Sequence, residues 1–295
     1  MSTDHKQAFE NYIRKGIEEN LRAIEAKAIP NNVAIDSGFL IPVEADREID
    51  RALLAASPIR SISGITKTSN NDFKKPVSAT HELQFPTMEL YAMPAATSQL
   101  LDDAAVDVDA WIASEVEQAF AEQESAAFIN GDGVNKPRGF LTHPTADENN
   151  WSWGNLGTVS GKLECDTLID LVYSLKAGYR QNANWVMNRK TQAEVRKLKD
   201  VDGNYLWQVP AAAGQAASLM GFGVVEAEDM PDIGRGTTPI AFGDFNRGYL
   251  IVDRAGVRVL RDPYSAKPYV LFYTTKRVGG GVQDFDAIKL LKLSN

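Results

Sequence analysis

The residues of this chain best equipped for chemistry are not spaced for it. His5, His81 and His143 are scattered without ligand spacing and Cys165 has no second cysteine beside it, so no zinc site is indicated and each histidine reads as a surface residue. Asp200-Val-Asp202-Gly203-Asn204 has the outline of a calcium loop, but its glycine comes too early and no glutamate closes it, so a plain turn is expected. Gly221-Phe-Gly223 lacks the third glycine of a dinucleotide fingerprint, and no Gly-x-x-x-x-Gly-Lys-Ser/Thr phosphate loop occurs. Gly131-Asp132-Gly133 closes a helix instead of opening one, so a phosphate there would meet the negative end of the dipole. Asp102-Asp103 stands at the start of the same helix, where negative charge favours the dipole without any catalytic role. No catalytic residue, cofactor or metal is therefore expected.

The elements that hold these residues are clearer. Val106, Ala110, Ala113, Val116, Phe120, Ala127 and Phe128 recur mostly three, four or seven apart among acidic and amide residues, which predicts a helix from about Asp107 to Ile129 buried on one face. At 1.5 Å per residue it spans roughly 35 Å, long enough to back a whole domain. Asn130-Gly131-Asp132-Gly133 ends it, and Pro137 prevents a quick restart. Upstream, Phe9, Ile13, Ile17, Leu21 and Ile24 predict a helix over about Asp4 to Lys27 whose narrow apolar stripe needs a partner; Pro30-Asn31-Asn32 breaks it, and an extended arm to Pro42 follows. Lys67 to Lys75 is polar and turn-rich, as a loop tip should be. Asp166 is expected to cap a helix burying Leu168, Leu171, Val172 and Leu175. Trp185 to Met187 reads as a buried strand, and Asn188 as the cap of a helix to about Leu198 whose exposed face carries Arg189, Lys190, Arg196, Lys197 and Lys199. Tyr249 to Val252, Val257 to Leu260 and Tyr269 to Tyr273 read as strands; Gly279-Gly280-Gly281 is expected to turn the chain sharply before a final strand over Ala287 to Leu293. The pattern is a mixed α+β protein with two interwoven domains.

Composition limits the partners. With 295 residues, 44% of them hydrophobic, the chain can bury one large core or two moderate ones. Thirty-one basic residues against 39 acidic ones give a net charge of -8, which argues against a broad basic face that grips DNA phosphates, while remaining compatible with a wall around DNA that must slide freely. A single cysteine rules out an internal disulfide framework and fits a reducing compartment. No apolar run of roughly 18 or more residues and no apolar signal core are present, so no membrane partner is expected.

Beyond periodicity, the run Asn130-Gly-Asp-Gly133 followed by Pro137-Arg-Gly139-Phe-Leu141 resembles the segment that closes the spine helix in HK97-type major capsid proteins of tailed bacteriophages and gene transfer agents. Other motifs follow in that family's order: Ser37-Gly38-Phe-Leu-Ile-Pro42, Ala56-Ser-Pro-Ile-Arg-Ser61, Glu89-Leu-Tyr-Ala92, Gln99-Leu-Leu-Asp-Asp103, Asn184-Trp-Val-Met-Asn188, Leu198 to Leu206, Met220 to Val225 and Phe242-Gly-Asp-Phe245. Together they cover residues 37 to 293. No one of them is specific alone.

The resemblance implies an HK97-like α+β capsid fold with a long spine helix, peripheral and axial domains, an N-terminal arm and an extended loop. It places the N-terminal helix and arm at residues 1–45, the peripheral domain at 46–60, 91–141 and 249–278, the extended loop at 61–90, and the axial domain at 142–248 and 279–295. It implies self-assembly into pentamers and hexamers of an icosahedral shell around double-stranded DNA held without sequence-specific contact. Scaffold, portal and decoration proteins are the implied partners, with the bacterial cytoplasm as the place of assembly and the virion as destination. Structural and assembly roles fall on Gly38, Pro42, Lys67, Lys74, Lys75, Gly131, Asp132, Gly133, Pro137, Gly139 and Tyr205, the last in an axial loop to Ala217 whose small-residue tip would face the capsomer centre.

Three departures accompany the resemblance. The removable N-terminal scaffolding region of many relatives is absent from the sequence, which leaves open a separate scaffold protein, a trimmed chain or a short helix as its remnant. The extended loop is short and lacks the Trp-Val-x-Glu segment. In part of the family a loop lysine joins an asparagine of a neighbouring subunit with help from a buried glutamate. Here Lys67, Lys74 and Lys75 are available, but Pro268 and Thr275 occupy the places of the asparagine and the acid, so noncovalent reinforcement is expected. An encapsulin-like compartment that packages an enzyme is the alternative on the same fold, and a soluble metabolic enzyme is the alternative outside it.

Overall fold

A computed structural model describes residues 2–28, 38–70, 72–78, 81–97, 99, 101, 108–199, 205, 207 and 218–294. The expected turn at 200–204, Asp102-Asp103, the arm before Gly38 and most of the loop to Ala217 lie outside these residues.

The organising element is one long antiparallel hairpin. Strands β13 (Tyr249–Asp262) and β14 (Tyr269–Val282) pair along their length, with an irregularity between Arg254 and Arg258 where Gly256 adopts φ +92. The separate strands expected at 249–252 and 257–260 are thus one strand with a bulge. Strand β1 (Phe39–Leu40) pairs antiparallel and β2 (Gly64–Thr68) parallel with successive stretches of β13, while β5 (Met88–Ala92) and β6 (Ala95–Thr97) flank β14. Gly279 to Gly281 does not form the expected turn: it lies inside β14. A Cβ on Gly279 would stand 2.6 Å from the Pro86 carbonyl oxygen, and one on Gly280 would stand 2.9 Å from the Tyr249 hydroxyl. These glycines provide room for close backbone approach within a strand.

Beside this sheet, β3 (Asp72–Ser78) and β4 (His81–Pro86) form a two-stranded hairpin. Its Phe73, Leu83 and Phe85 cover Leu250 and Val252 of β13. The expected loop tip is therefore corrected. Lys67 belongs to β2, and Lys74 and Lys75 belong to β3, where the partly buried Phe73 packs against Phe85 of β4, ring centres 6.5 Å apart.

Helices close the opposite side. The first expected helix is two, α1 (Ser2–Lys15) and α2 (Glu19–Ala28), broken where Gly16 takes φ +73, a conformation that ends a helix. Phe9, Ile13 and Leu21 are buried as the stripe predicts, whereas Ile17, at the break, is 45% exposed. The partner the stripe needed is the chain's own core. The Tyr12 hydroxyl accepts the Arg261 backbone N–H at 2.9 Å, so α1 satisfies β13 beyond the point where β1 stops.

After α3 (Val43–Ala56) and α4 (Pro58–Ile62), the long helix α5 (Val108–Asn130) crosses the sheet. It buries Ile112, Val116, Phe120, Ala121, Phe128 and Ile129, one turn apart on one face. Its first half shares a core with Phe9, Tyr12, Ile49, Leu53, Val259 and Phe272. Its last turn enters a second core with Phe140, Phe245, Tyr249, Ile288 and Leu290, which joins the two sheets.

The second sheet has seven strands in the order β10-β11-β9-β12-β15-β8-β7. These are β7 (Thr145–Asp147), β8 (Leu156–Gly161), β9 (Asn184–Met187), β10 (Ser218–Leu219), β11 (Phe222–Glu226), β12 (Ile240–Gly243) and β15 (Ile288–Leu293). Helix α6 (Cys165–Ser174) buries Leu168, Leu171 and Val172 against it. Its cap is Glu164, not Asp166: the Glu164 N–H donates to Thr167 Oγ1 at 3.2 Å, which leaves Asp166 in the first turn, where its charge suits the dipole. A single turn, α7 (Ala177–Arg180), follows. Asn188 caps α8 (Arg189–Arg196) as expected, its Oδ1 accepting the Thr191 N–H at 2.7 Å, while its Nδ2 reaches Asp232 Oδ1 at 2.8 Å. The last helix, α9 (Phe245–Gly248), leads into β13.

Candidate functional site

The residues singled out in the sequence fall at several separate places in the fold. Gly131 to Gly139 forms a closed loop at the end of α5. The Gly131 N–H continues the helix ladder to Ala127 O at 2.9 Å, and the Gly139 N–H returns to Gly131 O at 2.9 Å. Asp132 pairs with Arg138 as an isolated bridge, its Oδ1 accepts the Val134 N–H at 3.0 Å, and Pro137 is buried between them. Gly133 takes φ +80. The loop is fastened to β14 by Arg138 N–H to Gly280 O at 3.1 Å and to β13 by the Tyr249 hydroxyl, which donates to Arg138 O at 2.9 Å. The motif thus ties the helix to the hairpin, and Phe140 just after it packs in the core shared with the second sheet. The N–H groups of Gly131, Val134, Arg138 and Gly139 are all spent on partners within the chain.

Gly38 and Pro42 bracket β1. A Cβ at Gly38, where φ is +81, would stand 2.7 Å from Val259 O, and Pro42 caps α3. The three loop lysines find partners in their own chain: Lys67 Nζ donates to Asp50 Oδ2, Lys75 Nζ to Gln283 Oε1 at 2.6 Å, and Lys74 lies 3.7 Å from Glu82 across the hairpin. Tyr205 is 54% exposed beneath the Lys199 ammonium, 4.8 Å from its ring centre. The basic face of α8 is likewise answered internally, Arg189 by Glu228, Lys190 by Asp232 and Lys197 by Glu194.

His143 corrects the surface reading. It is half-buried beside Phe285, ring centres 5.2 Å apart, with Nε2 buried and without a hydrogen-bond partner. Burial, and then the Arg138 charge, push its pKa down from 6.5 to about 4. The unfolded chain therefore takes up a proton near pH 6.5 that the folded chain refuses until about pH 4. Stability is expected to fall by about 1–2 kcal/mol over that window, allowing for solvent screening. Urea midpoints measured from pH 7 to 4 should show that slope in the native chain and not in His143→Leu; equal slopes would refute it.

The most concentrated chemistry was not anticipated. Arg60 of α4 is 2% exposed and donates from Nη1 and Nη2 to Asp253 of β13 at 2.6 and 3.0 Å, and from Nε to Glu124 of α5 at 2.8 Å. Lys276 of β14, 3% exposed, stands 3.5 Å from Glu124, 3.6 Å from Asp253 and 3.7 Å from Asp50 of α3. Asp50 in turn accepts from Lys67. Six charges, three of each sign, thus link α3, α4, α5, β13 and β14 to β2 at the root of the β3–β4 hairpin. Burial alone would lower the Arg60 pKa, but Asp253 and Glu124 hold the guanidinium above its ordinary range. Burial would likewise raise the Asp253 pKa, yet Lys276 and Arg60 keep that carboxyl below the usual carboxylate range. The sequence signal for this cluster was Glu124 itself, an acid four residues from both Phe120 and Phe128 on the buried face of a helix.

Among the described residues no group of three or more His, Cys, Asp or Glu is placed to hold a metal ion, and no helix is long and apolar enough to cross a membrane.

Comparison with known proteins places this architecture. The chain is similar to the capsid chain of an empty GTA particle computed with C5 symmetry, at 43% identity and TM-score 0.72, covering 90% of this chain and 95% of that one. It is also similar to the capsid of the native GTA particle, at 43% identity and TM-score 0.71, covering 81% and 97%. The holo-SrpI encapsulin of Synechococcus elongatus shares the fold alone, with 12% identity, TM-score 0.57 and coverage of 92% and 94%. Among curated proteins no sequence matches. The phage capsid family model matches residues 78–293, more than half of the chain; with the long helix, its welded glycine loop and the two sheets it joins, the chain belongs to the phage capsid family and is a major capsid protein of the HK97 type.

Proposed function

We propose that copies of this chain form five-fold and six-fold rings that close into an icosahedral shell around double-stranded DNA. The observation that carries this reading is 43% identity over 90% of the chain to a GTA capsid computed with C5 symmetry. A net charge of -8 suits a wall that does not bind DNA tightly. Residues 46–60, 91–141 and 249–278 serve as the peripheral part, 142–248 and 279–295 as the axial part around each ring's centre, and 61–90 as the loop that meets a neighbour. The chain acts as a building block and not as an enzyme. It assembles in the bacterial cytoplasm with scaffold, portal and decoration proteins and ends in the particle. Each contact can be modest, because releasing one copy breaks several contacts at once.

Negative-stain electron microscopy and light scattering of the chain, alone and co-expressed with its genomic neighbours, test this. Rings and closed shells with nuclease-protected DNA are expected. Shells that hold a protein cargo in place of DNA would indicate encapsulin-like use, and a monomer under both conditions would overturn the reading.

A further inference from the structure

The two cations of the buried cluster are held in different ways. Arg60 is fixed by three hydrogen bonds. The Lys276 ammonium makes none, and neither does Glu124 Oε1 facing it, although three carboxylates lie 3.5 to 3.7 Å away. Those carboxylates belong to three different elements: Glu124 to α5, Asp253 to β13 and Asp50 to α3. Asp50 also holds Lys67, at the root of the β3–β4 hairpin.

Stability does not account for this arrangement, since apolar residues of similar volume replace buried ion pairs without loss in many proteins. Geometry does. A compact, rotatable ammonium can lean toward any of three carboxylates as the elements shift, so no movement strands a buried charge; a planar guanidinium forked onto one partner cannot. An icosahedral shell of identical chains that uses both five-fold and six-fold rings needs each chain to fit two slightly different sets of neighbours.

We propose that Lys276 is a positioning residue: a movable counter-ion that lets α3, with the hairpin root that Asp50 holds through Lys67, shift against the α5–β13 unit that Arg60 fixes, so that one sequence fills both ring environments. This rests on the shell reading above. It assigns to Lys276 control over closure and particle size, distinct from any contribution to folding.

The test is the double variant Lys276→Met with Glu124→Gln, which removes one cation and one anion and leaves the Arg60–Asp253 pair balanced. Its unfolding midpoint is expected to equal or exceed that of the native chain. Closed shells of native diameter, counted by electron microscopy under conditions where the native chain assembles, should fall at least about ten-fold, with rings, open sheets or particles of mixed diameter in their place. Native-diameter shells at native yield would overturn the proposal. If the pair does not fold, Lys276→Arg decides: it keeps the charge but fixes it in a fork, and native-diameter shells at native yield would again overturn the proposal. Failure of the native chain to form shells would instead count against the shell reading itself.

Discussion

Replacing Arg60 by methionine is expected to cost about 3–5 kcal/mol, because it removes one partner of a buried network and leaves the other charges behind. Asp253 and Glu124 would remain buried, with Lys276 as the nearest cation in the cluster and no hydrogen bond from it to either. Thermal unfolding of the unassembled chain should show a midpoint lowered by about 10 °C; an unchanged midpoint would show that the network has no structural weight. The pH dependence has a definite sign. Asp253 has its folded pKa held below the unfolded value of 3.8. Its contribution is therefore complete above that value and is lost only as pH falls through the folded pKa. In the native chain the loss appears in strong acid; in Arg60→Met the contribution of that pair is missing at every pH.

Gly131→Ala should be comparably damaging for a purely steric reason. The new Cβ would stand 2.0 Å from Pro137 O and 2.4 Å from Ala127 O, both backbone atoms that no rotamer change can move. Either the last turn of α5 or the welded loop must shift, with a cost of about 3 kcal/mol or more. Gly133→Ala is the informative contrast. There the nearest atom would be Arg138 Cβ at 3.4 Å, which is tolerable, but φ is +80, so backbone strain alone gives a cost of about 1 kcal/mol. Denaturant unfolding of the two variants should place Gly131→Ala well below Gly133→Ala, and the reverse order would refute the assignment of space to one glycine and conformation to the other.

What the chain revealed before its fold was known follows from the range of the forces involved. The C-terminal end of α5 and its buried face from Val116 to Phe128, the strand at Trp185 and the Asn188 cap depend on residues within a turn or two of one another, and they were readable. The Gly16 break in the first helix was hidden by an apolar stripe that continues in number but not in direction. Gly279 to Gly281 has the composition of a turn, and only the approach of Tyr249 and the Pro86 carbonyl explains why it is a strand. The ionic cluster was hardest to read, because Arg60 meets Asp253 across 193 positions of sequence. Apart from Glu124 on the buried face of α5, each member alone looks like an ordinary surface charge; burial is created by elements that come together only in the finished fold.

The strand orders also bear on synthesis. β15, at residues 288–293, lies between β12 and β8 inside the seven-stranded sheet, and the β13–β14 hairpin is the middle of the other sheet. The Tyr12 hydroxyl waits for an N–H that is made 249 residues later. A nascent chain on the ribosome can therefore complete the six-stranded sheet only after Val282 has emerged and the seven-stranded sheet only after Leu293, and a chain that stops before residue 288 lacks an inner strand of the second sheet. For a container built from many identical copies, in which one defective copy leaves a hole, this topology ties the finished core of each copy to the late part of its chain.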